Sequence, residues 1–303
     1  MPRTTGVFVK RAAKRKRSNK RVAKRRVKRR LTNAKLKDIV SRKKRDTMTA
    51  YSSFGSPTAP FVLPPVRGTS FSPRTAAEQP HFNLWCASYR PLAAAAYDSG
   101  RNMQSVYVKG LSDRYRIEIE NAPWEWRRIV FMSQTRYTGT ASTTRTFLTD
   151  PSIGSRTVAN MRVVGQGTTN GQPSISVAQN PSVGVDLFDV IFKGQRGIDW
   201  VNYFTAKTDT SLIKVLSDKK FRLGSGNESG AAKVKKFYTP VNKTLVYDDD
   251  EAGVDQNGSG FTAAGAKNGN IYVLDMFWNE AGNDPTAAGM TWSADATYYW
   301  HEH

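Results

Sequence analysis

Beyond about residue 80, hydrophobic and polar residues alternate in short stretches with the two-residue period of β-strands. From Tyr115 to Glu120 apolar residues alternate with charged ones, which predicts a strand with one face in a core. The continuous apolar run Ile129–Met132, within Arg127–Ser133, predicts a strand that is covered on both faces. Further strands are predicted over Met103–Lys109, Leu187–Lys193, Leu212–Leu216, Lys219–Leu223, Lys233–Tyr238, Lys243–Tyr247, Ile271–Trp278 and Thr291–Trp300. The pattern thus predicts eight to ten strands.

The segments between these strands favour a sandwich over other all-β folds. One helix is predicted, over Asp199–Lys207, because Asp199 can cap its start and three aromatic residues follow at helical spacing. Thr138–Gly184 and Asp248–Gly269 are polar and are predicted to be long loops. No repeat of fixed period is visible, which argues against a propeller or a solenoid. We therefore predict an all-β fold over residues 81–303, a jelly-roll β-sandwich with eight main strands in two antiparallel sheets.

Composition supports a globular body and excludes several classes of protein. The chain has 303 residues, of which 39% are hydrophobic and 11% aromatic, enough for a sizeable core. Cys86 is the only cysteine, so a disulfide framework or a zinc ribbon within the chain is excluded, and a buried structural thiol is expected. No signal peptide and no membrane-spanning segment are predicted, and no membrane partner is expected.

The charge is concentrated at the N-terminus. Through residue 50 the chain has twenty-one Lys and Arg against two acids, a net charge of +19 out of +21 for the whole chain. Such a segment cannot bury enough apolar surface to offset its ordering entropy, so residues 1–46 are predicted to be a disordered arm that binds a polyanion; the alternative is a solvated tail. The side chains predicted to bind nucleic acid are Lys10, Arg11, Lys14, Arg15, Lys16, Arg17, Lys20, Arg21, Lys24, Arg25, Arg26, Lys28, Arg29, Arg30, Arg42, Lys43, Lys44 and Arg45.

Two blocks within this arm also have the composition of nuclear localisation signals. They consist of Lys14, Arg15, Lys16 and Arg17, and of Lys24, Arg25 and Arg26. Residues 47–80 follow as a linker rich in Pro, Ser and Gly, which we expect to run extended between the arm and the body. Because the linker also contains apolar residues, we expect it to lie along a surface of the body or of a neighbouring copy.

Trp124, Trp126, Arg127 and Arg128 form a second candidate nucleic-acid site in the body. Aromatic rings beside guanidinium groups can stack single-stranded bases and hold their phosphates. The alternative is core packing. At positions i and i+2 of a strand both Trp side chains point to the same face, so both are core or both are exposed.

No catalytic site, metal site or cofactor is predicted. The acids from Asp248 to Asp255 suggest a cation site, but their spacing does not match a calcium-binding loop, and a solvated acidic turn or a patch that pairs with a neighbour's basic residues is the alternative. His301 and His303 are expected to lie in a disordered tail. No nucleophile elbow and no phosphate-binding Gly loop are present.

Two stretches resemble the coat proteins of circular single-stranded DNA viruses, the geminiviruses and the related genomoviruses. In the first, the basic pair Lys235–Lys236 precedes the aromatic pair Phe237–Tyr238, followed by a strand ending at Tyr247. In the second, the apolar strand Ile271–Trp278 precedes the Tyr-rich strand at Thr297–Tyr299. The resemblance implies a jelly-roll capsid subunit, an inward arm on the genome and import into the host nucleus. Geminivirus coat proteins carry a Cys and His cluster that this chain lacks, which favours the genomovirus branch and an association with fungi.

We therefore expect a capsid protein, not an enzyme, that is found in the virion and the host nucleus. About 60 copies would form a small icosahedral (T=1-like) shell around a single-stranded DNA genome, with host nuclear import receptors as further partners. Two other classes are open on the sequence alone. One is a cellular nucleic-acid-binding protein of the chromatin or ribosomal type, and the other is a metal-dependent nuclease that uses Asp248–Asp255.

Overall fold

The computed structural model describes residues 39–49, 69–71, 81–90, 92, 100–119, 123–135, 137–138, 163–165, 174–177, 184–224, 231–252, 255–279 and 290–302. These residues form fourteen strands and one short helix. The strands are β1 (Arg42–Thr49), β2 (Thr69–Phe71), β3 (His81–Cys86), β4 (Ser105–Ile119), β5 (Trp124–Ser133), β6 (Tyr137–Thr138), β7 (Val163–Gly165), β8 (Ser174–Val177), β9 (Gly184–Asp186), β10 (Lys214–Leu223), β11 (Ala231–Ala252), β12 (Asp255–Thr262), β13 (Asn270–Asn279) and β14 (Met290–Glu302). The helix α1 is Leu187–Ile191.

The eight main strands pair in a nested order: the first pairs with the last, the second with the second-to-last, and the remaining four in the same way. β1 pairs with β14, β3 with β13, β4 with β11 and β5 with β10, all antiparallel. This is one long antiparallel ribbon folded over itself, which is the strand order of a jelly roll. The two sheets run β1-β14-β4-β11-β12, with β2 beside β14, and β10-β5-β13-β3-β7. The predicted fold, an all-β sandwich with eight main strands in two antiparallel sheets, is confirmed.

The core lies between the two sheets and follows from the alternation along the strands. In β14 the residues buried against the core alternate with half-buried or exposed ones from Met290 to Trp300. β4 alternates in the same way over Tyr115–Ile119, as its pattern predicted. The two strands meet directly, with Trp292 opposite Ile117 and both side chains fully buried. Side chains at every second position therefore supply this core.

The second sheet is covered on both faces. Its outer face packs against the segment from α1 to Ile213, whose buried aromatic side chains are Phe188, Phe192, Trp200, Tyr203 and Phe204. Phe131 and Ile129 of β5 point into this outer cluster, while Val130 and Met132 point into the core. The prediction that the run Ile129–Met132 is covered on both faces is confirmed.

The helix prediction is wrong in position. Residues 199–207 form turns, and the helix lies earlier, in α1, where a strand had been predicted. Asp199 does not cap a following helix, because its carboxylate accepts from the backbone N–H of Gln195 at 2.7 Å and closes the preceding turn. Trp200, Tyr203 and Phe204 have helical spacing in the sequence because their three rings all pack on the outer face of the second sheet, although the backbone between them is not helical.

The predicted domain boundaries also require correction. Residues 42–46 are not part of an arm and residues 47–49 are not part of a linker, because together they form β1, which pairs with β14 along its whole length. Within the predicted linker, β2 pairs with the start of β14. At β2, therefore, the linker lies along the body, as expected. The body therefore begins by Arg42, some forty residues before the predicted boundary at residue 81.

Most of the predicted loop over residues 248–269 is β-ribbon, because β11 continues to Ala252 and pairs with β12. β11 joins two predicted strands into one of 22 residues. Its register against β4 shifts between Pro240 and Lys243, where Asn242 has a φ of 48°. Pro240 has no N–H for the ladder and Asn tolerates positive φ at low cost, so the shift falls where the sequence permits it.

Candidate nucleic-acid interface

The predicted nucleic-acid contacts of the N-terminal arm fall into two groups. Those from Lys10 to Arg30, including both predicted nuclear localisation blocks, lie outside the described residues. Those from Arg42 to Arg45 lie in β1 and are placed by the sheet. Arg42, Lys43 and Arg45 are exposed and Lys44 is buried. Because successive side chains of a strand point to opposite faces, this basic run is divided between solvent and core.

The prediction that Lys44 binds nucleic acid is wrong, because its ammonium group is used inside the protein. Its Nζ lies 2.9 Å from Glu302 Oε2, and the exposed fractions of the two side chains are 1% and 5%. Nζ also donates to the Gly100 carbonyl at 2.7 Å and to the Asn102 side chain. Lys44 therefore fixes the start of β1 to the end of the chain.

Asp46, two residues further along β1, makes a second buried ion pair. Arg90 Nη1 donates to Asp46 Oδ2 at 2.8 Å, with both side chains buried. The Arg90 guanidinium also lies 4.8 Å from the ring centroid of Tyr298 and 4.7 Å from that of Trp300. β1 is thus fixed to the sandwich by two buried ion pairs, at the point where the basic N-terminal sequence continues into the body.

The candidate site at Trp124, Trp126, Arg127 and Arg128 is also wrong as a nucleic-acid contact. All four side chains are buried, with exposed fractions of 0%, 0%, 2% and 0%. The two Trp rings both face the core between the sheets, so the inference that they share one face is confirmed and the core alternative holds. None of the four side chains can reach a base in this fold.

Arg127 points to the outer face of the second sheet and binds groups of the chain itself. Its Nε and Nη2 donate to the two oxygens of Asp218 at 3.0 and 2.7 Å. Its Nη1 donates to the carbonyl oxygens of Tyr203 and Ala206 at 2.6 and 2.8 Å. Arg127 therefore fastens the covering segment to β5 and to the edge strand β10.

Arg128 points into the sandwich and belongs to a fully buried polar network. It forms an ion pair with Asp113, and its Nε donates to the Tyr115 hydroxyl at 3.0 Å. Tyr115 in turn donates to Asp275 at 3.1 Å, and Trp126 Nε1 donates to Asp275 at 2.9 Å. Two carboxylates therefore share one guanidinium inside the core.

Burial dominates the proton affinities in this network. It raises the pKa of Asp275 to about 6, against the opposing effect of the Arg128 charge and of the two hydrogen bonds that Asp275 accepts. Burial also lowers the pKa of Arg128 to about 10, although the charge of Asp275 opposes the change. The pKa of Tyr115 is raised well above its usual value, first by burial and then by Asp275. The network is a structural element of the core.

Two other predictions can be placed. Cys86 is a buried thiol whose pKa burial raises to about 11, as expected for a structural cysteine. His301 is not in a disordered tail, because it is buried in β14; His303 lies outside the described residues.

Asp248, Asp249, Asp250 and Glu251 lie on β11 and Asp255 lies on β12, which pairs with β11. Asp249 is held within the chain by Arg101, whose Nη1 and Nη2 donate to its two oxygens at 2.5 Å each. The Arg101 guanidinium also lies 4.0 Å from the ring centroid of Tyr247. Among the described residues, no group of three or more His, Cys, Asp or Glu side chains is arranged to hold a metal ion.

The outer face of the first sheet carries exposed charge of which only Lys43 and Arg45 were predicted from the sequence to bind nucleic acid. We define the basic face as the side chains of β1, β14, β4 and the part of β11 paired with β4 that point away from the core. Its exposed basic residues are Lys43, Arg45, Lys109, Arg114, Arg116 and Lys236, against the acids Glu118 and Asp295, so six positive and two negative charges leave +4. The alternation of charged residues with buried ones along β4 was the signal from which part of this face was predictable.

No helical segment in the described part of the chain has the length and apolar composition that crossing a bilayer requires. No family model and no curated protein matches the chain.

Proposed function

We propose that the chain is the capsid protein of a circular single-stranded DNA virus of the genomovirus type, related to geminivirus coat proteins and associated with a fungal host. In this proposal about 60 copies form a small icosahedral shell of T=1 type. The basic segment before β1 packages the genome. The same segment directs the protein into the host nucleus through import receptors.

The observation that supports this proposal best is the attachment of the basic segment to the fold. Residues 1–41 contain seventeen Lys and Arg and one acid, a net charge of +16. They join the body at β1, which is fixed to β14 by strand pairing and by the Lys44–Glu302 ion pair, and to Arg90 by the buried Asp46. A jelly-roll subunit with a polycationic N-terminal extension suits a closed shell whose inside must neutralise a polyanion.

The positive charge of the arm indicates how long a genome the shell can neutralise. Sixty segments of +16 supply roughly 960 positive charges, each able to replace a counterion on one phosphate. With about one to two phosphates per arm charge, the shell suits a genome of about one to two thousand nucleotides. Since this binding is electrostatic, DNA in the particle should become accessible to nuclease at molar salt while the apolar contacts of the body persist.

The proposal is tested by electron microscopy of the purified protein, with and without nuclease, together with the mass of nucleic acid in each particle. Closed isometric particles that contain single-stranded DNA are expected. A monomer or dimer that binds nucleic acid without closing into particles would instead indicate a cellular nucleic-acid-binding protein. Retention of DNA that is indifferent to salt would contradict the electrostatic packaging.

A further inference from the structure

Tyr238 is an exposed aromatic residue on the basic face. It is 53% exposed and sits on β11 directly opposite Ser112 of β4. Its ring leans diagonally towards Gly110: a Cβ added at Gly110 would lie 2.6 Å from the Tyr238 hydroxyl oxygen and 2.8 Å from its Cζ. The hydroxyl also lies 3.5 Å from the Lys109 carbonyl oxygen. Because Gly110 has no side chain, the hydroxyl end of the ring can lie over it, while about half of the side chain stays exposed to solvent.

Positive charges surround this ring. Lys109 adjoins Gly110 in β4 and is exposed, and Lys236 precedes Tyr238 by two residues, so that it lies on the same face. Lys236 is directly opposite Arg114. On its other side Arg114 faces Asp295 of β14, which offsets part of its charge, so the positive charge beside the ring comes mainly from Lys109 and Lys236. The ring is therefore flanked on both sides along the strands by groups that can bind phosphate.

We propose that the basic face is a second binding surface for single-stranded DNA, on which Tyr238 stacks one base while Lys109, Arg114 and Lys236 bind the adjacent phosphates. This inference rests on the proposed function, since it concerns the same genome as the arm. An exposed aromatic ring among basic side chains can bind unpaired bases without strong sequence preference, because every base has a π-face. A duplex keeps its bases stacked inside and cannot use the ring.

Charge decides between DNA and a second copy of the chain as the occupant. An isologous contact would place this face, with its net +4, against the same face of another copy, and like charges would oppose it. A nucleic-acid strand carries a negative charge at every residue and matches the face throughout. The basic face and the arm would then bind successive segments of one strand.

The test uses the full-length protein and reads out the site directly. Oligo(dT) containing 5-iodouracil is bound and irradiated, and the cross-linked residue is identified by mass spectrometry. A cross-link at Tyr238 is expected, kept in Tyr238→Phe and lost in Tyr238→Leu. Leu keeps an apolar side chain at this exposed position but offers no ring, so thermal unfolding should change little while stacking is lost.

Affinity measurements provide a second readout. In salt that weakens the arm's contribution, Tyr238→Leu should weaken oligo(dT) binding by about 5- to 150-fold and leave duplex binding unchanged. Lys236→Gln should lower the slope of log K against log salt by about 0.7 on single strands. The matched control is Lys214→Gln, which removes the same charge from exposed β10 of the other sheet and should leave the Tyr238 cross-link intact.

The outcomes separate this inference from the proposed function. Cross-links confined to residues before β1 would overturn the binding surface while leaving packaging by the arm in place. Loss of particle assembly in Tyr238→Leu, with DNA affinity unchanged, would show that the face contacts another copy and would equally overturn the inference. Failure of the wild-type protein to bind single-stranded DNA at all would remove the proposed function itself.

Discussion

Replacing Lys44 by Met tests whether β1 belongs to the body or to the arm. In the structure Lys44 Nζ binds Glu302, the Gly100 carbonyl and the Asn102 side chain, all inside the protein. Lys43, its neighbour in the strand, is exposed. Lys44→Met and Lys43→Met therefore remove the same charge by the same chemical change at adjacent positions, one buried and one in solvent.

The expected loss of stability in Lys44→Met depends on the hydrogen bonds that remain to Glu302. Removing one partner of a buried ion pair costs about 3 to 5 kcal/mol, because the other charge remains buried and uncompensated. Glu302 Oε1 still accepts from the Trp300 indole at 2.9 Å and from the Asn102 N–H at 3.1 Å. These two hydrogen bonds put the expected loss at the lower end, about 3 kcal/mol. Lys43→Met should change the stability by about 0.5 kcal/mol or less.

The assay is urea unfolding of the full chain, dilute and in salt that prevents assembly, followed by Trp fluorescence. With an m-value of about 2 to 3 kcal/mol per M, the Lys44→Met midpoint should fall by about 1 to 1.5 M and that of Lys43→Met should hardly move. Equal, small midpoint shifts with an equal loss of DNA affinity in the two variants would refute the reasoning, because Lys44 would then behave as an arm residue.

Three further predictions concern the core, a turn and the arm. Burial raises the pKa of Asp275 from 3.8 to about 6, so the folded state binds this proton more tightly and loses about 2.5 kcal/mol of stability as pH rises from 4 to 7. The stability of Asp275→Asn relative to the wild type should therefore rise by about 2.5 kcal/mol over this range in urea unfolding, and a constant difference would contradict the prediction. Gly269→Ala should prevent normal folding, because its Cβ would overlap the backbone of Ser133, whereas Gly265→Ala has open space and a φ of +77° and should cost about 1 to 2 kcal/mol by thermal unfolding. Residues 1–41 fused to a fluorescent reporter should carry it into nuclei, and a purely cytoplasmic reporter would exclude the import function.

The sheet architecture was predictable because the strands keep their alternation. A strand with one buried face shows alternating apolar residues, as Tyr115–Ile119 does, and a strand with two buried faces shows a continuous apolar run, as Ile129–Met132 does. Both depend on local order along the chain. The start of β1 was not predictable in this way, because every residue from Arg42 to Arg45 is basic, which hides the alternation of buried and exposed positions.

The candidate site in the body was wrong for a related reason. Local composition places Arg127 and Arg128 beside two Trp residues, which is typical of a nucleic-acid contact, but it does not show where the counter-charges lie. Asp113 and Asp218 come from two other strands and pair with the guanidinium groups only in the folded sandwich, where the charge of Asp275 from a third strand also acts on Arg128. A buried Arg is therefore recognised from the pairing of strands and not from its neighbours in sequence.

The same strand pairing bears on how a packaged genome would act on the shell. A force that bound DNA exerts on the arm would act on the body at Arg42, where β1 begins its eight-residue pairing with β14. The load would fall across a ladder of backbone hydrogen bonds and the buried ion pairs of Lys44 and Asp46, and these are screened far less by salt than the exposed contacts to phosphate. Rising salt should therefore release DNA from the arm before it loosens β1. If the arm is attached in this way, nucleic acid should dissociate at a salt concentration at which the body is still folded.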